Sequence, residues 1–69
     1  MTTGHTYRVT EVIGTSEDSI QQAVRNAVRR ASETLRNLDW FEVSEVRGTI
    51  SGSDVGEFQV AVKIGFRLD

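Results

Sequence analysis

The residues with the most chemical potential in this sequence are one tryptophan, one glutamine and a scatter of arginines. Trp40 is the only indole in the chain. Strand alternation puts Arg8, Arg47, Gln59, Lys63 and Arg67 on the same sheet face as Trp40. An indole is a platform for a flat aromatic ligand. A glutamine amide both donates and accepts, which suits the edge of a heteroaromatic ring. Arginines meet phosphate with a fork of N–H donors. The alternative for Trp40 is an interface or core filler, and for the arginines a solvated strand face or salt bridges between subunits.

Other chemistry is excluded by residue type. Cysteine is absent and histidine occurs once, at His5 in a polar N-terminal stretch. A Cys/His or Ser/His/Asp arrangement therefore cannot be built within one subunit, and a zinc or transition-metal site is not expected. Glu42, Glu45, Asp54 and Glu57 read as solvated strand and turn acids. There is no GxGxxG or GxxxxGK[ST] phosphate cradle. Gly14-Thr15-Ser16 before a helix can bind an anion, but also reads as a glycine turn and a hydroxyl cap. The sequence predicts no catalytic residues.

The formal charge is −2, with 26% charged residues; this is not the basic balance of a nucleic-acid binder. The first ten residues lack the apolar core of a signal peptide, and no stretch approaches the ~20 apolar residues of a membrane span. The expectation is a cytoplasmic protein with neither a nucleic-acid nor a membrane partner. Chains near this length bury only about 60% of their unfolded surface. With no disulfide or metal to help, self-assembly is the expected support.

The elements follow from periodicity. Ile20, Ala23, Val24, Ala27, Val28, Ala31, Leu35 and Leu38 form one helical stripe, predicting a helix over 17–37. Thr15 or Ser16 is its expected N-cap, Glu17 and Asp18 suit the positive end, and Asn37 and Asp39 are stop signals. Three alanines in the stripe imply close approach to a sheet. Strands are predicted at 7–13, 40–50 and 57–68, with a turn over 51–56 and a tail over 1–5. In the last strand Phe58, Val60, Val62, Ile64, Phe66 and Leu68 share a face.

A crossover helix makes the first two strands parallel. A short turn makes the third antiparallel to both, and right-handedness gives order 1-3-2. The fold class is α+β, a β-α-β-β subunit with a three-stranded sheet on one long helix. Phe41 and Val43 differ in parity from Val46 and Ile50. One extra residue near Ser44–Glu45, a β-bulge, puts all four on the core face and turns Trp40 and Arg47 outward.

Gly14-Thr15-Ser16, the alanine stripe, Leu38-Asp39-Trp40-Phe41-Glu42-Val43, Arg47-Gly48-Thr49-Ile50, Phe58-Gln59-Val60 and Lys63-Ile64-Gly65-Phe66-Arg67-Leu68 together closely resemble the dodecins, over about residues 5–69. The resemblance implies a hollow shell of twelve subunits. It also implies flavins bound in pairs at two-fold interfaces, each ring stacked on the residue matching Trp40 and hydrogen-bonded by that matching Gln59. Arg47 matches a basic residue at the flavin site, and Arg8 matches one near it. Some members also bind coenzyme A near three-fold axes, where Arg30, Arg36 and Arg67 match. The expected role is therefore flavin storage, sequestration and photoprotection rather than catalysis. FMN is the expected ligand, favoured over uncharged riboflavin because arginines near the stacking face suit a phosphate; riboflavin and FAD are the alternatives. The alternative is a structural self-assembling module without flavin.

Overall fold

A computed structural model describes residues 4–68, so part of the expected 1–5 tail lies outside the described residues. The chain runs β1 (Thr6–Ser16), α1 (Ile20–Ser32), β2 (Leu38–Ser51) and β3 (Asp54–Leu68). The sheet order is β1-β3-β2, and both outer strands run antiparallel to β3. This is the β-α-β-β arrangement expected from the sequence.

The helix is shorter than the apolar stripe suggests, because local hydroxyls intervene at its start. Ser16 Oγ accepts the N–H groups of Asp18 (2.9 Å) and Ser19 (3.4 Å), which makes a side-chain turn at the end of β1. Ser19, with φ −163° and ψ 162°, then caps the helix by accepting from Gln22 N–H at 3.0 Å. The N-cap is therefore Ser19 rather than Thr15 or Ser16. Glu17 and Asp18 precede the helix, and its first turn holds no acid.

At the other end Thr34 and Leu35 N–H both reach Ala31 O, at 3.2 and 3.0 Å. Asn37 then turns the chain with φ +60°. Leu35 and Leu38 leave the helix yet still pack against its core. From Ala23 onward the stripe marks the buried side, although its last two members belong to a turn and a strand and its first, Ile20, is exposed. Arg29 and Arg30 occupy the last turn, where the negative helix end favours them.

Among the described residues the buried core holds six: Ala23, Ala27 and Ala31 from α1, and Val60, Val62 and Ile64 from β3. The contact is close. A Cβ on Gly14 would collide with Ala23 O and the Ala27 side chain. Because Gly14 faces the helix, parity sends Val12 and Arg8 to that side and Tyr7, Val9 and Ile13 to the other. Arg8, opposite Phe66, is thus on the helix side of the sheet. The expectation that it shares the outward face is corrected.

β2 carries the bulge expected at Ser44: Val43 lies opposite Val62 and Glu45 opposite Ala61. Two more irregularities accompany it. Asp39 is an extra residue between Leu38, opposite Phe66, and Trp40, opposite Gly65. Near the tip, Gly48 and Ile50 span two steps while Phe58 and Val55 span three, so the extra residue is on β3. There Thr49 Oγ1 accepts from Glu57 N–H at 3.0 Å. The hairpin closes at Gly52-Ser53, where Gly52 takes φ +66°, so both strands run further into the expected 51–56 turn.

The helix lies on β1 and β3 and barely touches β2. Phe41 (55% exposed), Val43, Val46 and Ile50 (81%) are therefore left open on the helix side. Phe41 and Val43 join Ile20, Val24 and Val28 along a groove of about 770 Å³ rimmed by Arg25 and Arg29. An apolar face this extended on a small chain marks an association surface.

Candidate ligand-stacking site

Two β-bulges aim the site. Leu38 and Phe41, three residues apart, both face the helix side only because Asp39 is inserted between their rungs, and the insertion turns Trp40 to the outer face. Opposite Trp40 stands Gly65. A Cβ there would overlap Cε2, Cζ2 and Nε1 of the indole, so the ring system leans across the central strand onto bare backbone. Trp40 remains 41% exposed. The result is an aromatic plane seated on a rigid strand and open above.

Farther along the same face the Ser44 bulge brings Arg47 opposite Gln59. Arg47 Nε–H donates to Gln59 Oε1 at 3.0 Å, and Gln59 Nε2–H donates to Glu57 Oε2 at 3.2 Å. Both ends of the amide are thus held in a defined orientation. Between the two groups Lys63 lies opposite Glu42 and Glu11, and Ser44 Oγ–H donates to Glu11 Oε2 at 2.6 Å.

The structure separates residues that the sequence places on one surface. Gly65, beneath Trp40, and Gln59 are six residues apart on β3, roughly 20 Å at the usual strand rise. One ring system cannot reach both within a single chain. Trp40 and Arg67 stand together at one end of this face, and Gln59 and Arg47 at the other. Arg8 lies near the Trp40 half in sequence register but on the opposite face.

The arginines expected near a second ligand lie toward one end of the subunit. Arg30 is in the last helical turn and pairs with Glu33 at 3.0 Å. Arg36 precedes Asn37, whose carbonyl accepts from Arg67 N–H at 3.0 Å. Among the described residues no cluster of His, Cys, Asp or Glu is arranged to hold a metal ion, and no helix is long and apolar enough to cross a membrane.

Three residues of this region escape sequence reasoning: Tyr7, Asp39 and Gly65. Tyr7 stands opposite Arg67 on the outer face, across β3 from the Asp39 bulge. Hydrogen bonding toward the Asp39 carboxylate, then slight burial and the negative charge of Asp39, raise the phenol above its usual pKa of 10.0, with Arg67 opposing. The legible signal is Gly65 itself, a gap in the side-chain row of the central strand in a sheet that carries one tryptophan.

A small β-α-β-β sheet protein with an outward aromatic platform is the class that fold and site define. The dodecin family model matches residues 6–69. A curated dodecin from Thermus thermophilus is 50% identical over 66 residues, covering 96% of each chain. The structure of a dodecin from Streptomyces coelicolor superposes with a TM-score of 0.93 at 63% identity, covering 99% of this chain and 97% of the other. That of a dodecin from Streptomyces davaonensis gives 0.92 at 55%, covering 97% and 98%. The chain belongs to the dodecin family.

Proposed function

We propose that this protein binds a flavin, FMN in particular, between subunits of a hollow twelve-subunit shell in the cytoplasm, and sequesters rather than transforms it. The observation that carries this reading is the division of the site. An exposed indole seated on Gly65 lies roughly 20 Å from an oriented Gln59 amide on the same face, so the pair becomes useful to one ligand only when a second copy supplies the missing half. Family membership points the same way.

The residues suit the group. Trp40 offers the isoalloxazine an apolar plane. Gln59 offers its edge a donor and an acceptor. Arg47 and Arg67 offer a phosphate cationic donors, which favours FMN over riboflavin. Arg8, on the helix side in its own subunit, serves the site only through a neighbouring copy. Bound flavin supplies redox and photochemistry. Sandwiching it between two indoles quenches the excited state, limits solvent access and leaves no space for a substrate beside the ring. Coenzyme A is a second proposed ligand, with Arg30, Arg36 and Arg67 as its contacts.

The test is titration of the purified oligomer with FMN. Flavin emission should be quenched on binding, and native mass spectrometry should report twelve subunits with flavin attached. An assembled protein that leaves FMN emission unchanged at micromolar concentration would instead be a structural module.

A further inference from the structure

We propose that Gly65 is the positioning residue for Trp40, seating the indole flat on the central strand, and that Tyr7, across the sheet from Asp39, steadies the bulge from which the indole projects. The flavin role of Trp40 rests on the function proposed above, whereas the positioning of the indole does not.

Three features converge on one short stretch of sheet. First, Asp39 is the inserted residue of the bulge, and Trp40 follows it directly. A bulge disrupts the ladder locally, so the side chain after it needs another constraint to hold one direction. Second, Tyr7 faces the Asp39 bulge from the far edge strand. Tyr7 is on β1, Asp39 is on β2, and Arg67 of β3 stands between them opposite Tyr7. Tyr7 thus stands at the far edge of the same end of the sheet, where the Asp39 carboxylate raises its pKa. The neighbouring backbone is pinned as well, because Arg67 N–H donates to Asn37 O at 3.0 Å.

Third, the place where the indole rests carries no side chain. Any Cβ at position 65 would occupy the volume of the pyrrole edge and the adjoining benzenoid carbon, and would lift the ring from the strand. A lifted ring would both lose its backing and change the spacing available to a stacked ligand. Gly65 thus sets the height of the platform, and Tyr7 with Asp39 sets its direction.

The chain contains one tryptophan, so indole emission reports Trp40 alone. Gly65→Ala should raise the FMN dissociation constant about tenfold, as expected when stacking geometry is spoiled. Tyr7→Phe should raise it about threefold, the scale of one lost hydrogen bond. Both should alter the indole signal in flavin-free, assembled protein. In a Trp40→Ala background neither substitution should change the constant by more than about twofold, since coupled residues are not additive.

Unchanged affinity and indole signal in both variants would overturn the proposal. So would equal losses with and without Trp40, which would mark a general structural effect. If Gly65→Ala fails to assemble, Tyr7→Phe, which keeps the ring and removes one oxygen, decides alone. Should the parent protein itself ignore FMN, the proposed function falls, and the flavin-free indole signal still judges the positioning.

Discussion

Replacing Trp40 by alanine removes the platform while leaving the β2 ladder and the helix-side faces intact. Trp40 is 41% exposed; of the 150–250 Å² that such a side chain can bury, about 60–100 Å² stays open for a ligand. Covering that area contributes about 1.5–2.5 kcal/mol at roughly 25 cal/mol per Å². Stacking adds about 0.5–1.5 kcal/mol. The sum, about 2–4 kcal/mol, corresponds to a weakening of roughly 30-fold to several hundredfold. The assay is flavin-emission titration of Trp40→Ala, with sedimentation in parallel to establish that the oligomer persists. A variant that remains assembled and binds and quenches FMN within about threefold of the parent would refute the stacking mechanism, because burial and stacking together cannot be so small. Trp40 would then be an interface filler.

At the other end of the proposed site, Gln59→Ala should cost about 1–2 kcal/mol of flavin affinity through hydrogen bonds left unmade, and Arg47→Ala should weaken FMN more than riboflavin, as a phosphate contact requires; paired titrations read both. Phe41→Glu places a charge on the open helix-side groove, where Phe41 is 55% exposed in the single chain. It should abolish high-order assembly in sedimentation at micromolar concentration, and retention of the full oligomer would show that the groove stays uncovered. Gly14→Ala forces a methyl into Ala23 O and Ala27 and should destabilise by about 1–3 kcal/mol in denaturant titration, the usual cost of overpacking. The folded Tyr7 pKa lies above its usual value, so its stabilising contribution is full below pH ~10 and is lost as pH rises through the folded pKa. Phenolate absorbance should therefore titrate above the free-tyrosine midpoint, and Asp39→Asn should lower that midpoint.

Element types and topology were legible because each depends on local pattern. The alternation from Phe58 to Leu68 identifies a two-faced central strand, and the alanine stripe identifies a helix that packs closely. The Ser44 bulge was legible too, since four apolar residues of two parities cannot share a face without an inserted residue. The same logic applied to Leu38 and Phe41 exposes the Asp39 bulge, but Leu38 also fits the helical stripe, and that ambiguity hides it. Helix ends were obscured by competition among neighbouring hydroxyls: Ser16 and Ser19 both accept backbone N–H groups, and only geometry decides which one caps the helix.

The sequence by itself determined residue chemistry and periodicity: which groups can stack, donate or pair, and which strand is central. These properties depend on neighbours within a few residues along the chain. Tertiary structure alone decided what faces what. Close approach at Gly14 chose the parity of β1 and carried Arg8 to the helix side and Tyr7 to the outer face. Cross-strand register put Trp40 over Gly65 and Arg47 beside Gln59, and set the two pairs roughly 20 Å apart. Register is fixed by contacts between residues distant in sequence, so a one-residue change in any strand would reverse its faces. For that reason the sequence could name the candidate residues but not show that one chain holds Trp40 and Gln59 so far apart.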